Sequence, residues 1–293
     1  MKTRMEWEGY ADSLSINGLA FVNGEYTPAE SGETFDCISP VDGRLLTKVA
    51  SCQQADADKA VKNARDTFSS GVWAHLPPAE RKKVMIRFAD LIEQNGDELA
   101  LLETLDMGKP IRYSKAVDVF GAARAIRWSG EAVDKIYDEL APTPHNEIGM
   151  VTREPVGVVA AIVPWNFPML MACWKLGPAL ASGNSVILKP SEKSPLSAIR
   201  LAQIAIEAGI PKGVLNVLPV TVILSVRHWR CIWTWIPGVY RLHQNCQTTD
   251  DLCRAVEHEA CLAGSRRQEP ECRVCRCTRP ESRRRIGRFC HRL

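Results

Sequence analysis

The chain has 293 residues, 45% of them hydrophobic and 24% charged, enough for one large or two modest globular domains and unlike collagen, low-complexity or wholly disordered sequence. No apolar run approaches the roughly 20 residues that span a bilayer. Met1 to Ser13 mixes charges of both signs where a secretory signal would need an apolar stretch, so a cytoplasmic location is expected.

The first predicted element is a hairpin over Leu19 to Tyr26 turning at Asn23-Gly24, a dipeptide that tolerates the two positive φ angles of a type I′ turn. A second extended pair follows, broken at Ser39-Pro40-Val41-Asp42-Gly43. Three helical stripes come next. Ala57, Val61, Ala64 and Phe68 form one, and Val84, Phe88, Leu91 and Ile92 a second that stops at Asn95-Gly96. Val119, Ala123, Ile126, Gly130, Val133 and Tyr137 form the third. All three read as core-facing surfaces.

From residue 156 the pattern changes. Val156 to Val163 is apolar without alternation, as in a strand covered on both faces. A helix is predicted over Pro168 to Ala181, opened by proline and followed by Gly183. Ser185 to Leu188 is a second strand, Pro195 to Ala208 a second helix stopped at Gly209, and Val214 to Leu218 a third strand. Strands alternating with helices of this length imply an α/β fold with a doubly wound parallel sheet. Such sheets bind ligands at the carboxyl ends of their strands. Pro164-Trp165-Asn166-Phe167-Pro168 leaves the first strand there, and Lys189-Pro190-Ser191-Glu192 the second. The G-x-G-x-x-G phosphate cradle is absent.

The averages conceal two unlike parts. Residues 1–219 hold 23 Lys and Arg against 27 acids, a net charge of −4, whereas residues 220–293 hold 14 Arg, no Lys and 7 acids, a net charge of +7. Eight of the 11 cysteines lie in the second part. Cys272, Cys275, Cys277, Cys290 and His291 could ligate a metal, but the single CxxC has no second pair at zinc-finger spacing. The 220–293 segment lacks sustained helical or strand periodicity and is expected to fold poorly.

The stretch from Glu154 to Val217, with PWNFP and KPSE at this spacing, closely resembles the aldehyde dehydrogenase superfamily. ETLDMGKPI (Glu103 to Ile111) and Gly121 to Trp128 are also family-like, and the resemblance covers roughly residues 19–218. Within the family, LLETLDMGKPIR, GAARAIRW and CWKLGPALASGNSVILKPSEKSPLSAIRLA look most like γ-glutamyl-γ-aminobutyraldehyde dehydrogenases of putrescine breakdown. The resemblance implies an incomplete cofactor-binding domain of this type over 1–219, with NAD or NADP as cofactor and a small-molecule aldehyde as substrate. It also implies homo-oligomers, with His145 to Arg153 resembling the start of their bridging strands, and neither a nucleic-acid nor a membrane partner. In the implied chemistry a cysteine thiolate attacks the aldehyde, hydride passes to nicotinamide, and a glutamate-activated water hydrolyses the thioester. Asn166 matches the oxyanion-stabilising asparagine, Lys189 and Glu192 the residues that hold the adenosine ribose, and Ile162, Pro164 and Trp165 the segment lining the nicotinamide side.

Read alone, Asn166 could equally cap the following helix, Lys189 could be a solvated strand end, and Glu192 a first-turn acid facing a helix dipole. Cys173 matches no family nucleophile and reads as core packing.

After Pro219 the family pattern should continue with a glycine-rich turn, FTGST, LEAGGK and the catalytic cysteine, and none of these follows. The break is abrupt, which suggests a change of reading frame. Codons permitted for Pro219 to Val226, with one base restored, encode GYGHSVG. Codons for Val239 to Cys246, read one base later, encode FTGSTKI, and those for Val256 to Glu271 encode SNMKRVWLEAGGKSP. A second slip is required near Ile236 to Gly238. On this reading the chain is expected to be inactive, with an exposed sheet edge.

Overall fold

The structure, a computed structural model, describes residues 2–220 and 233–235. Its centre is a six-stranded sheet. Strands β7 (Val158–Ile162), β8 (Ser185–Lys189) and β9 (Leu215–Val217) are parallel neighbours, joined by α7 (Pro168–Ala181) and α8 (Leu196–Ala208). The predicted hairpin is β1 (Ala20–Val22) and β2 (Glu25–Thr27). Asn23 and Gly24 both have positive φ (54° and 77°), and β1 extends the sheet antiparallel to β9.

Periodicity explains both covered faces. Val158, Ala160 and Ile187 pack on α2 (Gln54–Ser69), whereas Ala161, Val186 and Leu188 belong to the larger core built on α7 and α8. Outside those two helices lie α3 (Pro78–Gln94), α4 (Gly96–Met107) and α6 (Phe120–Ala132), which complete the larger core. Arg81 ties this layer to the sheet layer, donating from Nη1 to the carbonyls of Trp73, Ala74 and Leu76 and from Nε to that of Ala181.

The helix predicted over Pro168 to Ala181 has those bounds, because proline at the first position needs no N–H partner and Gly183 adopts the φ of 88° that ends the turn. Other expectations need correction. The third stripe ends with α6 at Ala132, and Tyr137 is 78% exposed. The second helix does stop at Asn95-Gly96, with Asn95 as the C-cap of α3, but α4 follows directly from Gly96. The edge of β7 is also partly covered, since β10 (Trp233–Trp235) pairs with it in parallel, Thr234 opposite Ala160.

Several elements carried no clear signal: α1 (Arg4–Ser13), α4, the short α5 (Ile111–Tyr113) and a π-helical turn over Ser114–Val119. The second extended pair is β3 (Thr34–Ile38) with β4 (Leu45–Ala50). A detached hairpin of β5 (Glu139–Ala141) and β6 (Gly149–Val151) includes part of the segment expected to form bridging strands.

Candidate nucleotide site

Because β10 and β8 flank β7, the strand order reverses at β7, and a ligand crevice is expected at the carboxyl end of that strand. Both sequence-marked loops leave the sheet there. Ile162 pairs with Lys189 in the parallel register, and the Val163 N–H donates to the Lys189 carbonyl at 3.1 Å. The Ser194 hydroxyl donates to the Trp165 carbonyl at 3.3 Å and links the loops again farther out. Ile162, Pro164, Trp165, Asn166, Lys189 and Glu192 thus converge on one end of two adjacent strands.

The Lys189 Nζ lies 3.6 Å from Glu192 Oε2, with the two side chains 15% and 41% exposed. Burial pulls the lysine below its ordinary pKa, and Glu192 opposes that shift. A donor and an acceptor at this separation suit a vicinal diol, with the ammonium giving a hydrogen bond to one hydroxyl and the carboxylate taking one. The pair therefore fits the ribose of a nucleotide cofactor. Its place at the tightly packed end of β8 makes the solvated-strand-end reading of Lys189 less apt.

Asn166 is half-buried and its side chain makes no hydrogen bond among the described residues. It is not a helix cap: the N-cap of α7 is Phe167, and no side chain caps it. The amide is free to donate to a ligand. Pro164 and Trp165 are exposed and Ile162 is half-buried.

Support for the loops comes from residues that sequence reasoning left unassigned. The Lys109 ammonium sits 3.9 Å over the Phe167 ring and 2.5 Å from Oδ2 of the buried Asp118. Glu103 is fully buried, and neither of its oxygens meets hydrogen-bond geometry, although the Met169 backbone N–H gives its carboxyl partial relief. Burial, reinforced by Asp118, pushes Glu103 up to about 8. The Asp106 carboxylate accepts from the Leu196 N–H at 2.9 Å and from the Cys37 thiol at 3.0 Å. Their only sequence signal is the ETLDMGK string.

Cys173 is fully buried and its thiol is pushed up by burial, as core packing requires. The possible metal ligands Cys272, Cys275, Cys277, Cys290 and His291 lie outside the described residues, as do the recovered FTGST and LEAGGK segments. Among the described residues no group of three His, Cys, Asp or Glu could hold a metal, and no helix is long and apolar enough to cross a membrane.

Comparison with known proteins follows the same outline. NADP/NAD-dependent aldehyde dehydrogenase PuuC of Escherichia coli (strain K12) is 59% identical over 212 residues, 72% of this chain and 43% of that protein. A crystal structure of indole-3-acetaldehyde dehydrogenase complexed with NAD+ matches with a TM-score of 0.75 and 71% identity, over 75% of this chain and 45% of that one. A γ-glutamyl-γ-aminobutyraldehyde dehydrogenase from Burkholderia cenocepacia J2315 matches with a TM-score of 0.74 and 59% identity over the same shares. The chain spans less than half the length of these three. The profile of the Aldehyde dehydrogenase family matches residues 26–223, more than half of the sequence, and the chain belongs to that family.

Proposed function

We propose that residues 1–219 form the larger part of the cofactor domain of an NAD(P)-dependent aldehyde dehydrogenase, and that this chain binds the dinucleotide without oxidising aldehyde. The observation that carries the reading is the Lys189–Glu192 pair together with Asn166, whose amide makes no hydrogen bond among the described residues, at the carboxyl ends of adjacent parallel strands. When bound, the nicotinamide supplies the hydride acceptor. Lys189 and Glu192 hold the adenosine ribose, Ile162, Pro164 and Trp165 line the nicotinamide side, and Asn166 donates to the oxygen that gains negative charge. A phosphate on that ribose would meet the Glu192 carboxylate, which favours NAD over NADP.

The aldehyde proposed is γ-glutamyl-γ-aminobutyraldehyde of putrescine breakdown, supported by the names of the Escherichia coli and Burkholderia relatives. The 71% identity to an indole-3-acetaldehyde dehydrogenase favours a second reading, an aromatic acetaldehyde.

We assign residues 220–293 to an out-of-frame translation. The family profile ends at residue 223, close to the break at Pro219, and the structural matches cover 75% of the chain. In this frame residues 220–293 show neither the glutamate motif nor the nucleophile motif. Calorimetric titration of the full chain with NAD+ tests the binding reading. Lys189→Ala is expected to weaken binding at least about tenfold, the loss of one charge-assisted hydrogen bond; unchanged affinity would refute the assigned ribose site. An NAD-dependent rate with any aldehyde, abolished by Asn166→Ala, would refute inactivity. Nucleotides of the locus without single-base slips at the two places would refute the frame change.

A further inference from the structure

Helix α8 starts without a cap of its own. Its N-cap residue is Pro195, which makes no side-chain cap hydrogen bond, so the first N–H groups need partners from elsewhere. One comes from a residue 90 positions earlier. Asp106 Oδ2 accepts from the Leu196 N–H at 2.9 Å, and Oδ1 accepts from the Cys37 thiol at 3.0 Å. Asp106, Cys37 and Leu196 are all buried. Among the described residues no Lys or Arg forms an ion pair with Asp106. A buried acid without a cation is a strained choice for stability alone, since an apolar residue of similar size would avoid its desolvation.

The segment that Asp106 anchors is the one that carries the ribose pair. Between the end of β8 at Lys189 and the start of α8 at Leu196 the chain has few ties of its own. The Lys193 N–H donates to Ser191 Oγ at 3.3 Å, the Ser194 N–H to the Ser191 carbonyl at 3.2 Å, and the Ser194 hydroxyl to the Trp165 carbonyl. One end is fixed by the strand register. The other is fixed by Asp106.

Building on the nucleotide site proposed above, we infer that Asp106 is a positioning residue for the Lys189–Glu192 arm: by capping α8 from the end of α4, it sets where the arm turns back and so holds the ribose pair in place. Asp106 touches no ligand and acts only through Leu196.

A double-mutant cycle on the full chain tests this, read by equilibrium binding of AMP, which carries the adenosine ribose and no nicotinamide. Asp106→Ala is expected to weaken AMP binding roughly fivefold, the free energy of a lost helix cap. In a background carrying both Lys189→Ala and Glu192→Ala the same change is expected to cost less than about twofold, because Asp106 acts only through that pair. Asp106→Asn keeps an acceptor for Leu196 and is expected to restore most of the affinity; it carries the same cycle if the alanine variant does not fold. Additive losses in the two backgrounds, or full AMP affinity in a folded Asp106→Ala protein, would overturn the inference and leave the ribose site standing. If Lys189→Ala alone leaves AMP binding unchanged, the ribose site falls, and the role of Asp106 falls with it.

Discussion

The loop after β7 and the loop after β8 leave the sheet side by side, and each rests on an acid from the same helix. Glu103 and Asp106 are three residues apart in α4, roughly one turn. Glu103 lies against the start of α7, behind the Asn166 loop, with both oxygens lacking a properly formed hydrogen bond. Asp106 lies at the start of α8, behind the Lys189–Glu192 loop, with both oxygens bonded. The loop that carries the Lys189–Glu192 ion pair is fixed by formed hydrogen bonds. The loop that carries Asn166 rests on a carboxyl that burial pushes up to about 8 and on a lysine over the Phe167 ring. On the nucleotide site proposed above, the β8 loop would be the one that grips and the β7 loop the one free to respond to what is bound.

The largest expected effect separates the two acids by pH. Glu103 is held at about 8 against an ordinary 4.5, with burial the main cause. In the folded chain it stays protonated while the unfolded chain ionises. Stability therefore falls as pH rises from about 4.5 to about 8 and levels off above, with a limiting slope of about 1.4 kcal/mol per pH unit for this group. Asp106, raised to about 7 by burial, adds a slope of the same sign over a lower window. Glu103→Gln stays neutral throughout and is expected to remove the upper part of the decline, leaving what Asp106 and Asp118, both raised by burial, contribute. Urea midpoints from pH 4 to 9 measure this. A variant whose profile follows that of the parent would mean that Glu103 is already charged in the fold.

A smaller effect is expected at the seam between the loops. Ser194→Ala removes the hydrogen bond to the Trp165 carbonyl and is expected to cost about 1 kcal/mol. If the loops depend on each other, faster amide exchange should appear on both sides, at residues 164–167 and 190–195. Exchange confined to the mutated loop would show that the β7 loop is held by Lys109 and Phe167 alone.

Much of this geometry was legible in the sequence, and the exceptions share physical causes. The bounds of α7 and the hairpin at Asn23-Gly24 could be read because proline, glycine and asparagine act through backbone angles that no packing partner alters. Helix α4 shows no stripe because eight of its twelve residues are buried, so apolar positions surround the axis. Helix α1 shows none for the opposite reason, since it buries no residue. Tyr137 extended the third stripe by spacing alone, but the chain had already left the helix. Asn166, Lys189 and Glu192 were singled out by motif. Glu103 and Asp106 in α4, and Lys109 just past its end, were not assigned, because an acid or lysine ordinarily marks a solvated face, and only the tertiary fold turns these inward.

The smallest effect expected is the most discriminating for function. Asn166→Ala removes an amide that makes no hydrogen bond among the described residues and does not cap α7. Its stability change should stay within about 0.5 kcal/mol, the range for substitutions that break no packed or bonded feature. AMP affinity should not move either, because the proposed ribose site lies on the neighbouring loop. A residue kept for the fold would behave in the opposite way, since deleting a bonded buried amide leaves its partner unsatisfied at about 1–3 kcal/mol. A stability loss of that size, read from the urea midpoint, would return Asn166 to the structural class. It would also erase the contrast between a gripping loop and a free one. A silent substitution is what the proposed role, a donor reserved for a reacting oxygen, predicts for a chain that binds the dinucleotide without turning it over.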